Sequence, residues 1–545
     1  MAAVIASTMM AYPLTLTHLL ERAGKLFGPV EIVSRRPDKS LHRYTYADFV
    51  RRAKALAEGL KRLGLAKGDR VGTLMWNHYA HLEAYFGIPA AGGVLHTLNL
   101  RLHPDEIAYI VNHAEDRFLI VDDVLVPLLR QFEDRIRVER IFVVPLTGQA
   151  VPEGYDDYEA LLAEATGDFA YPELDENDPA GMCYTSGTTG RPKGVVYSHR
   201  ALVLHSFAAA LAYTLAVSHR DTVLPVVPMF HVNAWGVPFA ATMVGAKQVF
   251  PGPHLDPESL LALFEGERVT FAAGVPTIWL GVLQALDRSP GRWSLPPGMR
   301  LAVGGSAAPE AMIRGFDRHG LRVIHAWGMT ETTPLGTVSH LKSDLAERPV
   351  EEQYAYRAKQ GIPVPFVEVR VVNDDGEAPW DGQTMGELQV RGPWVAAAYH
   401  NQPEAASSWT ADGWFRTGDV ATIDPHGYVK ITDRVKDLIK SGGEWISSVD
   451  LENALMAHPA VAEAAVVGVA HPKWQERPLA VVVKKEGAEV TPEELRAFLA
   501  DKFPKWWLPD AFVFVNAIPR TSAGKFLKAK LREQYRDIYG TADAG

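Results

Sequence analysis

Short β-branched runs alternate with helical periodicities along almost the whole chain. That pattern predicts α/β layers with largely parallel sheets, because a parallel strand pair needs a crossover, usually a helix, between its members. With 545 residues against roughly 150 per typical domain, more than one unit is expected. The reading is a large multi-sheet N-terminal domain, residues 1–432, followed by a small mobile α/β C-terminal domain, residues 433–545. The last segment holds 16 Lys/Arg and 16 Asp/Glu, so the formal charge of −10 sits entirely on the larger body. A small unit with its own charge balance predicts a mobile lid.

The acidic balance argues against nucleic acid as a partner, since phosphate neutralisation needs a basic surface. The single cysteine, Cys183, excludes an intramolecular disulfide and a cysteine-built metal site. It suits a reducing compartment, and the cytoplasm is the expected location. The N-terminus lacks a basic start, so no secretory signal is expected. The most apolar run, Ala201 to Val217, is broken by His205, Ser206 and Thr214 and falls below the ~20 residues of a membrane span. A buried helix is the expectation there.

Four strand-to-loop junctions carry chemistry-bearing residues. A strand ending near Tyr184 meets Thr185-Ser186-Gly187-Thr188-Thr189-Gly190-Arg191-Pro192-Lys193-Gly194, after which Ser198 caps a helix. Glycines let the backbone turn its N–H groups inward, hydroxyls add donors and Lys193 adds charge, which makes an anion cradle. It is not the common triphosphatase loop, which ends in Gly-Lys-Ser/Thr. The run from Leu224 leads into Met229-Phe230-His231-Val232-Asn233-Ala234-Trp235; a strand from Arg300 to Val303 meets Gly304-Gly305-Ser306; and Leu321 to Trp327 ends at Gly328. Ligands of open α/β sheets bind beyond the carboxyl ends of strands, so these loops are expected to share one crevice.

These motifs, in this order from Thr45-Tyr46-Ala47-Asp48 to Pro519-Arg520-Thr521-Ser522-Ala523-Gly524-Lys525, resemble the adenylate-forming superfamily. It comprises acyl-CoA synthetases, firefly-luciferase-like enzymes and peptide-synthetase adenylation domains, and the chain is most similar to the fatty acyl-CoA ligases. The resemblance implies a triphosphate loop at Thr185, Ser186, Gly187, Thr188, Thr189, Gly190 and Lys193. It places His231 and Val232 between nucleotide and acyl pocket, Gly305 and Ser306 beside adenine and the acyl carboxylate, and His325, Ala326, Trp327 and Thr330 around the nucleotide. Relatives mostly carry Tyr at the Trp327 position, but either ring offers a flat face for adenine. Glu331 and Thr185 would hold Mg²⁺, a hard cation suited to oxygen ligands. Asp419 and Arg434 match the ribose segment, with Lys436 and Lys440 following on the nucleotide side. Asp433 would be the hinge. Trp235, Gly305, Gly442, Gly443, Glu444 and Trp445 would face the acyl and CoA side, and Lys525 would be the catalytic cation, with His231 and Glu331 assisting.

The implied activity is that of an acid–thiol ligase using ATP and CoA as co-substrates. Carboxylate and ATP would give acyl-AMP and pyrophosphate, after which the lid turns and CoA takes the acyl group. Apolar residues around Trp235 predict a medium- to long-chain fatty acid; an aromatic or other carboxylic acid is the alternative. Peripheral contact with a membrane and assembly as a homodimer stay open.

Overall fold

Ser198 stops the strand Gly194–Ser198 and starts the helix His199–Ala210 by accepting a hydrogen bond from the Ala201 amide at 3.1 Å. That is how an N-cap hydroxyl satisfies an orphan donor. The computed structural model describes residues 7–185, 191–441, 444–521 and 525–540. Among them the strands form four sheets.

The nine-stranded sheet has a parallel centre of Arg322–Gly328, Arg300–Val303, Phe271–Gly274, Thr222–Pro225, Lys247–Phe250 and Glu31–Arg35, with antiparallel strands on both edges. The seven-stranded sheet is parallel from Asp156–Asp157 to Pro179–Tyr184, and Gly194–Ser198 closes it antiparallel. Between the two sheets lies the helix Tyr79–Ala90, buried at every residue and packed on strands of both. A helix apolar all round has no face for solvent, and a sandwiched position is its stable solution.

The expectation of largely parallel sheets holds for these two and stops there. Glu368–Asn373, Gly386–Arg391, Phe415–Ile423 and Val429–Arg434 form an antiparallel sheet. Without crossover helices their connections leave only that arrangement. A smaller sheet begins at Ile439 and pairs Val461–His471 with Gln475–Lys484. Helices Ser448–Met456 and Pro492–Ala500 cover it around Ile439, Leu451, Val466, Val482 and Leu495. Among the described residues no helix is long and apolar enough to cross a membrane.

Gly87 in the central helix has no room for a side chain. A Cβ there would sit 2.7 Å from the Ala53 carbonyl and 2.9 Å from Leu56. Gly87→Val should destabilise the protein by about 1–3 kcal/mol, as overpacking does, measured as a shifted urea midpoint at unchanged slope. An unshifted midpoint would show that the two helices separate without cost.

Candidate functional site

The carboxyl ends of Pro179–Tyr184, Thr222–Pro225, Arg300–Val303 and Arg322–Gly328 open on a cavity of about 460 Å³. It is lined by Thr185, Lys193, His231, Val232, Trp235, Gly305, Ala326, Trp327, Thr330, Glu331, Arg434 and Lys525. A second cavity of about 260 Å³ shares Gly305, Ala326, Trp327, Arg434 and Lys525 and adds Ser306, His325, Asp419, Asp433 and Lys436. The crevice therefore runs from the two large sheets to the junction with the small domain. Lys440 lines neither cavity; it stands on Ile439–Ser441, opposite Trp445. Ser186, Gly187, Thr188, Thr189, Gly190, Gly442 and Gly443, and the side chains of Glu444 and Trp445, lie outside the described residues.

The neck of the hydroxyl-rich loop is closed by its two ends. Lys193 N–H donates to Thr185 Oγ1 at 3.1 Å, and Thr185 N–H donates to the Lys193 carbonyl at 2.9 Å. The Lys193 ammonium lies 4.7 Å from the ring centre of Tyr399, whose hydroxyl donates to Glu331 Oε1 at 2.6 Å. Burial and this carboxylate push the tyrosine pKa up, so Tyr399 stays a donor. Glu331 is buried, leaving one carboxylate oxygen without a side-chain donor among the described residues. Two hard oxygens, Glu331 and Thr185, thus border one space, a donor set that fits Mg²⁺ shared with phosphate oxygens and water.

Asp419, 3% exposed, is held from both sides. Trp327 Nε1–H donates to Oδ2 at 2.9 Å, and Arg434 Nε pairs with Oδ1 at 2.7 Å. The neighbouring carboxylate raises the Arg434 pKa further, fixing its charge. His325 lines the second cavity, yet both ring nitrogens are occupied: Ala308 N–H reaches Nε2 at 3.2 Å and Nδ1 lies 3.1 Å from the Ala358 carbonyl. Burial lowers its pKa to about 4, so the ring is neutral and serves as a strut under the Gly304–Pro309 loop.

Lys525 comes from the small domain. Its loop is closed by Thr521 N–H to the Lys525 carbonyl at 2.7 Å, and Lys528 anchors the next turn through Ser448 Oγ at 2.6 Å and Glu452 at 2.7 Å. Burial, reinforced by Arg434, lowers the Lys525 pKa to about 8, against the opposing pull of Asp419 and Glu331. His231 is driven to about 4 by burial, then by Lys525 and Arg101, and is a neutral imidazole near pH 7. Asp433 is the penultimate residue of the strand Val429–Arg434, with its carboxylate accepting from the Arg434 and Ser448 amides at 2.8 Å each.

Sequence reading missed three residues that shape this crevice. Tyr399, the partner of Glu331, is one aromatic in a loop with no local pattern to mark it. Asn77 fixes the approach to His231: its amide donates to the Pro225 and Val227 carbonyls at 2.9 and 3.0 Å and accepts from Met229 N–H at 2.7 Å. Tyr85 donates to the Met229 carbonyl at 2.5 Å. Both contacts span more than 140 positions, beyond any periodicity.

The AMP-binding enzyme family model matches residues 28–400, and that of the AMP-binding enzyme C-terminal domain matches residues 450–525. The chain is 55% identical to a long-chain-fatty-acid–CoA ligase of Thermus thermophilus, over 98% of each chain. It is 45% identical to a medium-chain-fatty-acid–CoA ligase of Ectopseudomonas oleovorans, over 97% of each. The crystal structure of ATP-bound MatB from Rhodopseudomonas palustris superposes with a TM-score of 0.81 at 28% identity, covering 97% of this chain and 100% of that one. With matching models over both its large body and its C-terminal segment, the chain belongs to the AMP-binding enzyme family.

Proposed function

We propose that this chain is an AMP-forming ligase that joins a medium- to long-chain fatty acid to CoA. The carboxylate attacks the α-phosphorus of ATP to give acyl-AMP and pyrophosphate, and the CoA thiol then takes the acyl group and releases AMP. The observation that carries this reading is Lys525, brought from the small domain into the crevice that also holds Asp419, Arg434, Glu331 and Lys193. No side-chain nucleophile is required, because phosphoryl chemistry of this kind runs on positioning and charge neutralisation.

In this reading Trp327 and Ala326 flank the base, Asp419 accepts from the ribose hydroxyls, and Lys193 with Thr185 meets the phosphates. When bound, Mg²⁺ at Thr185 and Glu331 neutralises phosphate charge. Lys525 faces the charge that grows between carboxylate and α-phosphate, and neutral His231 offers a hydrogen bond there without adding a cation. The fatty-acid assignment is supported by the apolar wall of Leu215, Val232, Trp235, Pro334 and Leu335 and by the substrates named for the two relatives. Turning of the small domain about Asp433 would withdraw Lys525 and present another face, with Gly442, Gly443, Glu444 and Trp445, to CoA. The lone cysteine, buried Cys183, fits a reducing cytoplasm.

Lys525→Ala should lower acyl-AMP formation about 10²–10³-fold while leaving thioester formation from supplied acyl-AMP largely intact. Equal loss in both half-reactions would reject the assigned role. The pH dependence follows from the same residue. With its pKa at about 8, Lys525 is cationic below that pH and neutral above it, so kcat/KM for pyrophosphate release should fall as pH rises through 8. Lys525→Arg should move that limb upward, and an identical limb in the variant would assign it to another group.

Substrate class is tested on acids of graded length. Each buried methylene is worth ~0.8 kcal/mol, about a fourfold gain in affinity, until the pocket ends. Saturated acids of medium to long chain should therefore outperform acetate, benzoate and cinnamate, with a rise and then a plateau in kcat/KM. If the Trp235 indole gates the acyl pocket and shifts when nucleotide or acyl chain enters, Trp235→Ala should weaken the dependence of fatty-acid KM on ATP. A maximum at acetate or at the aromatic acids would overturn the fatty-acid assignment, and an unchanged ATP dependence would reject Trp235 as the gate.

A further inference from the structure

Tryptophan at position 327 brings something a phenyl ring cannot: an N–H on the edge of its flat face. That N–H points at Asp419 Oδ2, 2.9 Å away, while Arg434 Nε holds Oδ1 at 2.7 Å. The indole itself is fixed. Gly336 packs so closely under it that a Cβ there would lie 2.5 Å from Trp327 Cζ3, and the residue is 8% exposed. Asp419 is also steadied through its backbone, with its N–H donating to Thr417 Oγ1 at 3.0 Å.

An ionised carboxylate offers about four acceptor positions, two on each oxygen. The indole N–H takes one position on Oδ2 and the Arg434 guanidinium is ion-paired against Oδ1, so the two oppose rotation about the Cβ–Cγ bond and leave an acceptor position open on each oxygen. Two neighbouring acceptors on a fixed plane match a cis-diol. We propose that Trp327 is a positioning residue for ribose recognition: its indole N–H orients Asp419 so that the carboxylate reads the 2′- and 3′-hydroxyls of the nucleotide as a pair. This deepens the reading of the crevice as an ATP site and rests on it. If only stacking mattered, the N–H would be idle and any flat ring would serve equally.

The test separates stacking from positioning by comparing ATP with 2′-deoxyATP, in direct binding and in kcat/KM for pyrophosphate release. Three proteins are compared: wild type, Trp327→Phe, and a protein carrying 3-benzothienylalanine at position 327. The last keeps the shape of the indole with sulfur in place of N–H, so it removes the donor without opening a cavity and remains informative if the phenylalanine variant folds poorly. Wild type should prefer ATP over 2′-deoxyATP by about tenfold or more, the scale of a hydrogen bond to a charged group. In both variants that preference should shrink by at least about threefold, because ATP loses more than the deoxynucleotide does. Equal losses for the two nucleotides, with the preference retained, would overturn the positioning role and leave the ATP site standing. Failure of the wild type to bind ATP would overturn the site and this inference together.

Discussion

An ammonium group taken out of water beside another cation is the interaction on which the arrangement turns. Lys525 gains little from being near Arg434, and its environment shifts it toward the neutral form. What keeps it useful is that Asp419 and Glu331 pull the other way, so a modest balance decides its charge. Such a group is poised for an incoming anion. A triphosphate with a carboxylate would add negative charge beside an ammonium that has no ion pair among the described residues, and the lysine would be held more firmly once they arrived. Docking of the small domain and binding of an anionic substrate would thereby be linked through one side chain.

The neighbouring lysine of the small domain is held differently. Lys528, three residues on from Lys525, is mostly buried and paired with Glu452 and Ser448, and its pKa is raised. Two lysines three residues apart therefore have opposite electrostatics. One is a structural anchor inside the small domain; the other reaches across the crevice without a fixed ion pair among the described residues. The same contrast appears in the larger body, where His325 is locked by backbone partners while His231 faces the cavity.

What could be read from the sequence was local. Ser198 as a cap, the strand into Tyr184 and the Gly-punctuated exits of the parallel strands follow from residue chemistry within a few positions, and the resemblance then placed Asp419, Glu331 and Lys525 together. The order of strands was not legible. Glu31–Arg35 pairs with Lys247–Phe250 across more than 200 residues, and no periodicity encodes which edge a strand joins. The antiparallel sheet was missed because β-rich patterning after Glu368 lacks the helices that would have signalled crossovers. Tyr399 and Asn77 were invisible for a related reason: each acts through hydrogen bonds to residues far along the chain, and isolated polar side chains look alike until the fold brings their partners.

The turn between His231 and the apolar wall of the cavity shows how far local preference yields to the site. Val232, Asn233, Ala234 and Trp235 have φ of 39°, 55°, 48° and 56°, followed by Gly236 at 70°. Left-handed backbone costs an L-residue roughly 1–2 kcal/mol, and two of these side chains, Val232 and Ala234, have no polar group to compensate locally. Burial holds the turn in place. All four residues are buried, Gly236 backs onto the His205 ring where a Cβ would lie only 2.5 Å away, and Asn77 with Tyr85 pins Met229 in the segment leading in. The buried Asn233 Nδ2 has no partner among the described residues, a second cost at the same spot. Both are explained by what the reversed turn delivers, which is the Trp235 indole laid across Gly304 and Gly305. A right-handed turn would send that ring elsewhere. Strain of this kind persists only where the surroundings over-determine it, and here it sits between the neutral imidazole of His231 and the residues that would line an acyl chain.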